Sequence, residues 1–181
     1  MEIDTKNILC DIATGDNEAF KALFNMFFPK VKVFLVKFLK DDKAAEDIAQ
    51  DIFVKIWSLR YALPEIKSFN TYLYRMTRNA ALNYLRDQKY AVDISEIPIL
   101  DDSDIEQEYY RKEKELLIRL AVEQMPPQRR KIFTMSRYQT MSNDEIAKAL
   151  NLSKHTVENH LSISLKELRE LMVAFALFFL I

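Results

Sequence analysis

The stretch that decides the fold is SNDEIAKALNLSKHTVENHLSISLKEL, residues 142–168. Ser142 is followed by Glu145 at the spacing of a capping box, which marks the start of a helix. The Asn-Leu-Ser sequence that comes next predicts a tight turn, because Asn151 can adopt the left-handed conformation. Ser153 can then cap a second helix. Two short helices joined by such a turn predict a helix-turn-helix.

The apolar residues of this stretch recur at helical spacing and predict its inner face. They are Ile146, Ala147 and Leu150 in the first helix, then Val157, Leu161, Leu165 and Leu168 in the second. In a helix-turn-helix the second helix enters the major groove, and its first turns meet base edges and phosphates. The candidate DNA-binding residues are therefore Ser153, Lys154, His155, Thr156, Glu158, Asn159 and His160. The alternative is an ordinary helical hairpin with solvated polar residues.

The composition of the whole chain favours an all-α fold. Its 181 residues are 49% hydrophobic and include one glycine and five prolines. A β-sheet protein of this length would need more turn residues. Upstream, apolar residues continue in helical phase across Pro29, so this proline is predicted to kink a long helix rather than end it.

Charge divides the chain into two small helical domains. Residues 91–112 contain two basic and seven acidic residues, whereas the segments on either side are each slightly basic. Pro98 and a DDSD run interrupt any helical period there. We therefore predict a first domain at residues 1–90, a flexible acidic linker at 91–111 and a second domain at 112–181, which contains the helix-turn-helix and ends in an apolar tail.

Several functional classes are disfavoured by what the sequence contains. The single cysteine, Cys10, provides neither a disulfide framework nor a cysteine-based zinc site. His155 and His160 are five residues apart, which does not place them on one helical face for a metal. We find no phosphate-binding glycine loop and no nucleophile with a base, so we predict no catalytic site, no metal, no cofactor and no small-molecule substrate.

The two ends of the chain indicate a cytoplasmic protein. The first residues lack the basic start and apolar run of a signal peptide. The apolar tail, VAFALFFLI at Val173–Ile181, is too short for a membrane-spanning helix, which needs roughly 20 residues. We therefore expect a protein that does not span a membrane.

A second motif, SFNTYLYRMTRNAALNYLRDQK at residues 68–89, predicts an amphipathic helix with basic and aromatic residues. Residues 60–89 contain six basic and two acidic residues. Phe69, Leu73, Met76 and Ala80 are predicted to be buried, with Arg75, Asn79, Leu82 and Arg86 on another face. Arginines beside tyrosines suit single-stranded nucleic acid, since phosphates pair with the former and bases stack on the latter. A solvated amphipathic helix explains the pattern equally well.

A third motif is AEDIAQDIFVKIW, residues 45–57. It predicts a helix with one acidic and amide-containing face, which carries Asp47, Gln50, Asp51, Val54 and Ser58. Its other faces are apolar, and a helix of this kind can contact a partner as well as its own core. Taken alone, this motif is more simply interpreted as part of a helical core.

Together and in this order, the three motifs resemble the extracytoplasmic-function (ECF) sigma factors of the sigma-70 family, over about residues 15–172. The TVENHLSISLKEL pattern is similar to that of sigma factors from Bacteroidetes. The resemblance implies that residues 45–57 dock on core RNA polymerase, through Asp47, Gln50, Asp51, Phe53, Val54 and Trp57. It also implies that residues 117–133 and the helix-turn-helix form region four, which reads the minus-35 element.

The resemblance assigns the minus-10 element to the second motif. The implied DNA-binding residues are Phe69, Tyr72, Arg75, Arg78, Asn79 and Arg86. Residues 61–67 match the family's loop that holds a flipped-out base, and Asn79 falls where the family's residue approaches that base. The implied function is promoter recognition and transcription initiation as an alternative sigma factor. The implied partners are core RNA polymerase, promoter DNA and an anti-sigma factor.

Other interpretations remain open from the sequence alone. Residues 142–161 also resemble the LuxR-like helix-turn-helix, so the chain could be a stand-alone transcriptional regulator. Residues 1–90, however, lack the alternating strands and helices of a receiver domain. A protein-interaction bundle would suit the apolar tail but would leave the capped helix-turn-helix unexplained.

Overall fold

The computed structural model describes residues 5–87 and 106–179, and the regular structure of these residues is helical. The helices are α1 (Thr5–Ala13), α2 (Asn17–Leu39), α3 (Asp42–Ser58), α4 (Phe69–Asp87), α5 (Glu106–Glu123), α6 (Pro127–Arg137), α7 (Asn143–Leu150) and α8 (Lys154–Ala176), with a short 3-10 helix at Arg60–Glu65. The chain forms two compact units. The all-α prediction with two helical domains is confirmed.

The first unit is built on α2, whose ends are defined by local chemistry. The Asp16 carboxylate accepts hydrogen bonds from the N–H groups of Glu18 and Ala19, at 2.8 and 3.1 Å. At the other end, Lys40 adopts a left-handed conformation with φ 59°. Pro29 lies inside the helix, as the in-phase apolar residues predict.

Aromatic side chains join α2 to α3 and α4. The ring of Phe24 lies 5.0 Å from that of Phe53 on α3, and the ring of Phe27 lies 5.1 Å from that of Phe69 on α4. These edge-to-face pairs fix the helices by shape as well as by the apolar area they bury. Two polar contacts tie the helices further. Lys32 donates to Glu46 at 2.7 Å, and the Tyr84 hydroxyl donates to Asp41 at 3.0 Å.

The second unit surrounds a core formed from α5, α6, α7 and α8. Its fully buried residues include Leu117, Ile132, Ile146 and Val157. Pro127 opens α6, a first-turn position at which the missing proline N–H is not needed. The half-buried ion pair between Arg129 and Glu167, at 2.6 Å, connects α6 to α8.

The predicted linker differs from the structure at its C-terminal end. Residues 91–105 of the predicted linker lie outside the described residues. Helix α5 begins at Glu106, so the last six residues of that linker are helical, which corrects the prediction. An exposed ion pair between Arg111 and Glu115, at 2.7 Å and helical spacing, is compatible with this helix. The apolar tail, predicted as part of the second domain, is grouped by its contacts with the first unit.

Candidate functional site

Helix α3 carries an exposed polar face. Asp47, Gln50, Asp51 and Val54 share it, and the Val54 side chain is 65% exposed. Their spacing of three and four residues places them in one strip along the helix. This face agrees with the pattern from which the polymerase-binding residues were predicted.

Two other predicted polymerase-binding residues, Phe53 and Trp57, do not belong to that exposed face. Phe53 is buried against Phe24 and Phe28, so it supports α3 from inside and cannot provide a contact surface. The prediction that it binds a partner is corrected for this reason. Trp57 is half-buried, and its ring packs 5.0 Å from that of Phe20.

Arg60 connects Trp57 to the segment that leads into α4. Its guanidinium carbon lies 4.9 Å from the centre of the Trp57 ring and 4.4 Å from that of Tyr61. Hydrogen bonds to the Trp57 carbonyl and the Tyr61 hydroxyl, at 3.1 and 2.8 Å, fix its orientation. The Tyr61 side chain remains 72% exposed. Sequence reasoning did not single out Arg60, although its position between two aromatic residues was a usable signal.

On α4 the buried face is rotated from its predicted position. Leu73 and Phe69 are buried as predicted, but Met76 and Ala80 are only half-buried. Leu82, predicted on the polar face, belongs to the core. The buried residues of the helix are Phe69, Leu73, Tyr74, Thr77, Arg78, Ala81, Leu82 and Leu85.

The predicted minus-10 residues therefore differ in accessibility. Asn79 and Arg86 are exposed, while Arg75 and Tyr72 are half-buried. Burial raises the pKa of the Tyr72 hydroxyl, which keeps it a neutral hydrogen-bonding group. Phe69 is a core residue packed on Phe27, so the prediction that it contacts DNA directly is corrected.

Arg78 is buried rather than displayed to solvent, with 6% of its surface exposed. Its Nε and Nη2 both donate to Oδ1 of Asn79, at 3.3 and 3.1 Å. The predicted phosphate contact by Arg78 is corrected, because its guanidinium is turned towards its neighbour. A buried cation thus orients the exposed amide of Asn79.

Lys30 is a further cation that the sequence patterns did not identify. Its Nζ lies 5.1 Å from the centre of the Phe27 ring and has no hydrogen-bond partner among the described residues. Burial lowers the pKa of this ammonium group. The sequence patterns did not point to Lys30, because it lies far along the chain from the basic residues of α4.

The helix-turn-helix is formed by α7, a turn and α8. Ser142 accepts a hydrogen bond from the Glu145 N–H at 3.3 Å, and the Glu145 carboxylate accepts one from the Ser142 N–H at 2.8 Å. This capping box is the predicted one. The Ser142 hydroxyl also donates to the Glu145 carboxylate, at 2.7 Å, and this bond, followed by the one from the Ser142 N–H, holds the pKa of Glu145 below its ordinary value. Asn151 takes the predicted left-handed conformation, with φ 53°. The Thr156 N–H donates to Ser153 Oγ at 3.0 Å, as expected for a cap.

The first turns of α8 present most of the predicted minus-35 residues. Ser153, Lys154, His155, Glu158 and Asn159 are exposed, and Thr156 and His160 are half-buried. The buried Nδ1 of His160 has no hydrogen-bond partner among the described residues.

Lys154 is engaged within the motif. Its Nζ donates to the Asp144 carboxylate at 2.9 Å, across the two helices. This hydrogen bond and charge pair raise the pKa of Lys154, so the side chain remains a cation. The exposed pair holds Lys154 against α7 in the absence of DNA.

Among residues 5–87 and 106–179, no group of three or more histidine, cysteine, aspartate or glutamate side chains converges in a way that could hold a metal ion. None of the helices described there combines the length and the apolar character that crossing a membrane requires.

Sequence comparison accounts for both units. The family model for sigma-70 region 2 matches residues 23–90, and the model for sigma-70 region 4 matches residues 115–168. The chain belongs to the sigma-70 family. It is an alternative RNA polymerase sigma factor of the ECF type. The region 2 match also disfavours a stand-alone LuxR-like regulator, which would not contain this domain.

Named relatives cover most of the chain. It is 23% identical over 150 residues to RNA polymerase sigma factor SigZ of Bacillus subtilis, covering 83% of this chain and 85% of that protein. It is 26% identical over 158 residues to ECF RNA polymerase sigma factor RpoE of Cereibacter sphaeroides, covering 86% and 87%. A solved structure of CnrH in complex with the cytosolic domain of CnrY is 20% identical, with a TM-score of 0.42 and coverage of 94% and 97%. The predicted likeness to Bacteroidetes sigma factors stays a prediction.

Proposed function

We propose that the first unit docks core RNA polymerase through Asp47, Gln50, Asp51 and Val54. The observation that supports this is the single exposed strip these side chains form on α3. The position of α3, and with it the strip, is fixed by two contacts. Phe53 is buried in the core beneath the strip, and Lys32 donates a hydrogen bond to Glu46 near the start of the helix. A preorganised surface of this kind loses little side-chain freedom on binding.

Helix α4 then engages the minus-10 element. Arg75 and Arg86 supply positive charge for phosphates, and Asn79 approaches an unstacked base from an orientation set by Arg78. Unstacking a base costs a few kcal/mol, which contacts to the extruded base must offset. The exposed Tyr61, stacked on Arg60, lies in the segment that leads into this helix and provides a neighbouring aromatic face.

The second unit reads the minus-35 element through the start of α8. Lys154, His155, Glu158 and Asn159 are exposed there, and the two caps fix the turn that presents them. Two weak contacts on one chain reinforce each other through effective concentration. The chain carries out recognition only, and the bond-forming chemistry belongs to the polymerase.

The partners follow from this assignment. Core RNA polymerase and promoter DNA are required, and we include an anti-sigma factor as the regulator. A cytoplasmic location is part of the same proposal, because bacterial polymerase and promoter DNA are found there.

The test is transcription with a reconstituted holoenzyme. Core polymerase and the purified chain are incubated with a randomised promoter library, and transcribed templates are sequenced. We expect enrichment of two separated sequence elements. Substitution of Asn79 by alanine should relax only the downstream element, and substitution of Asn159 by alanine only the upstream one. If no template is enriched while a housekeeping sigma factor works in parallel, the proposal is wrong.

A further inference from the structure

The guanidinium of Arg60 lies over two aromatic rings at once. Its carbon is 4.9 Å from the centre of the Trp57 ring and 4.4 Å from that of Tyr61. Nη1 donates to the Trp57 carbonyl at 3.1 Å, and Nη2 donates to the Tyr61 hydroxyl at 2.8 Å. Two ring contacts and two directional hydrogen bonds therefore fix both the place and the plane of this group.

The chain on either side of Arg60 is anchored in the first unit. The Trp57 ring packs 5.0 Å from that of Phe20 on α2. On the other side, Leu63 shows 0% exposure and holds the short 3-10 helix against the core. The backbone that carries Arg60 and Tyr61 is thus fixed before and after these two residues.

Tyr61 presents one face of its ring to solvent. Arg60 covers the opposite face, yet Tyr61 is 72% exposed. A tyrosine this exposed would ordinarily sample several side-chain rotamers. Here the hydrogen bond to its hydroxyl and the cation over its ring restrict it to one orientation. An aromatic face held in this way loses little side-chain freedom when a second planar group stacks on it.

Charge indicates which planar group fits this face. The strip on α3 is acidic, through Asp47 and Asp51, whereas the Tyr61 ring is backed by a cation. Residues 60–89 contain six basic and two acidic residues. A base can stack on the ring while the positive charge attracts phosphates of the same strand. The change of sign between Asp51 and Arg60 therefore favours single-stranded DNA over a continuation of the polymerase contact.

Tyr61 also lies close in sequence to the helix that we assign to the minus-10 element. Only residues 66–68 separate the 3-10 helix from α4. Phe69, the first residue of α4, packs on Phe27 of the same unit. The exposed ring and the proposed base contact of Asn79 thus belong to one unit, so both can act on one stretch of melted strand.

We propose that Arg60 is a positioning residue, which holds the Tyr61 ring as a stacking face for one unstacked base of the promoter's single strand. The proposal rests on the proposed function and deepens it. It assigns a binding face to Tyr61 and a separate, supporting task to Arg60. Arg60 acts through the Tyr61 ring and does not itself contact the base.

A single-stranded oligonucleotide containing 2-aminopurine tests the stacking face in the reconstituted holoenzyme. The oligonucleotide carries the downstream element found by the library selection, with 2-aminopurine at one position at a time. Stacking on an aromatic ring quenches the fluorescence of this base. In the saturated complex we expect Tyr61→Ala to raise the fluorescence at one position at least about threefold, and to weaken binding about tenfold. Tyr61→Phe keeps the ring and should bind within about threefold of the wild type.

Tyr138→Ala is the matched control, because Tyr138 is a tyrosine of the second unit with 64% exposure. It should change neither the fluorescence nor the affinity for this oligonucleotide. If no position responds to Tyr61→Ala in a complex that the wild type forms, the stacking face is refuted while the sigma function stands. Loss of core polymerase binding by Tyr61→Ala would assign the ring to a protein contact and would also overturn the proposal.

Failure of the proposed function itself gives a different result. The wild-type holoenzyme would then not bind the oligonucleotide at all, while a housekeeping holoenzyme binds its own minus-10 strand. That outcome would overturn the minus-10 assignment and, with it, the stacking face.

A double-mutant cycle tests whether Arg60 acts through Tyr61. Arg60→Gln should weaken binding about fivefold and raise the fluorescence at the same position, but should add little to Tyr61→Ala. Arg60→Lys keeps the charge without the planar fork, so it should behave like Arg60→Gln. Full recovery with Arg60→Lys would show that Arg60 serves by its charge alone. An undiminished effect of Arg60→Gln in the Tyr61→Ala background would show that it does not act through the ring. Either result would overturn the positioning role.

Discussion

Arg78 donates two hydrogen bonds to the side-chain oxygen of the residue that follows it, Asn79, at 3.3 and 3.1 Å. The arginine is buried and the asparagine is exposed. With Oδ1 engaged, the Asn79 amide is oriented so that its NH2 group is the one offered outward as a donor. Arg78 is therefore a positioning residue for the proposed base contact.

Substitution of Arg78 by glutamine should reduce base discrimination at the minus-10 element. The amide of Asn79 would lose its fixed orientation, so we expect about tenfold weaker discrimination, or about 1.4 kcal/mol. The measurement is transcription from templates that carry each of the four bases at the position selected most strongly.

A double-mutant cycle separates this effect from general damage. If Arg78 acts through Asn79, the Asn79→Ala substitution should remove most of the effect of Arg78→Gln. Additive losses in the double variant, together with equal losses on every template, would show that Arg78 serves only the stability of the helix.

The Tyr84 hydroxyl should make the stability of the first unit depend on pH. The pKa of Asp41 is lowered by the hydrogen bond from the Ala44 N–H and then by the one from Tyr84. A lowered pKa in the folded state gives stability that is present above the ordinary carboxyl pKa and is lost as pH falls through the folded value. Tyr84→Phe should therefore lower Tm at pH 7, and its difference from wild type should shrink below about pH 4.

Thermal unfolding followed from pH 7 to about pH 2 measures this difference, because the loss is expected below the ordinary carboxyl pKa of about 3.9. Tyr138→Phe is the matched control, because Tyr138 is an exposed tyrosine of the second unit. A Tyr84→Phe difference that stays constant across the range would mean that the hydroxyl acts through packing rather than through the Asp41 carboxylate.

The ion pair between Asp144 and Lys154 should restrain DNA binding. Asp144→Asn removes the acceptor charge 2.9 Å from the Lys154 ammonium. Lys154 is then more available to a phosphate, so duplex affinity should rise, by about threefold at low salt, and the salt dependence should steepen. Binding of the selected duplex by the holoenzyme at several salt concentrations measures both effects.

Lys154→Gln provides the internal control for that measurement. It should weaken binding, and Asp144→Asn added to it should change little, because the released cation is absent. A gain from Asp144→Asn that persists without Lys154 would mean that the carboxylate repels DNA directly.

Ile146 should be a stability determinant of the second unit. It is 0% exposed in the core of the helix-turn-helix. Ile146→Ala should lower the free energy of unfolding by about 2–5 kcal/mol, and Ile146→Val by about 0.5–1.5 kcal/mol. Urea unfolding followed by circular dichroism measures these losses.

The single tryptophan allows the unfolding of the first unit to be followed separately from that of the whole chain. Trp57 belongs to the first unit, so its fluorescence transition should move less than the circular dichroism transition. Equal displacement of both transitions would show that the two units unfold as one cooperative body.

The features that sequence predicted well are local ones. The capping box of Ser142 and Glu145, the left-handed Asn151 and the cap at Ser153 depend on residues within four positions of one another. Their side chains and backbone groups meet in any chain that forms this turn. For that reason the helix-turn-helix was predictable residue by residue.

The features that sequence predicted poorly depend on neighbours distant along the chain. Helical spacing alone could not decide which side of α4 faces the core. Leu82 and Arg78 are packed into the core, so the buried face lies about one residue away from its predicted position. For the same reason Phe53 was assigned to a partner surface, although it packs on Phe24 and Phe28, which are distant along the chain. Composition indicated that the apolar tail packs somewhere, but its contact with Tyr74 joins residues about a hundred positions apart.

The most direct test of the account is co-elution of the chain with sigma-free core RNA polymerase by size exclusion. The test variant carries Asp47→Ala, Gln50→Ala and Asp51→Ala on α3. The matched control carries Asp11→Ala, Glu18→Ala and Asn25→Ala, which remove the same charges and amide from exposed positions elsewhere in the first unit. We predict co-elution of the wild type and the control, with the affinity of the α3 variant reduced at least about tenfold. Equal co-elution of all three proteins, or no association of the wild type while a housekeeping sigma factor binds, would contradict the account.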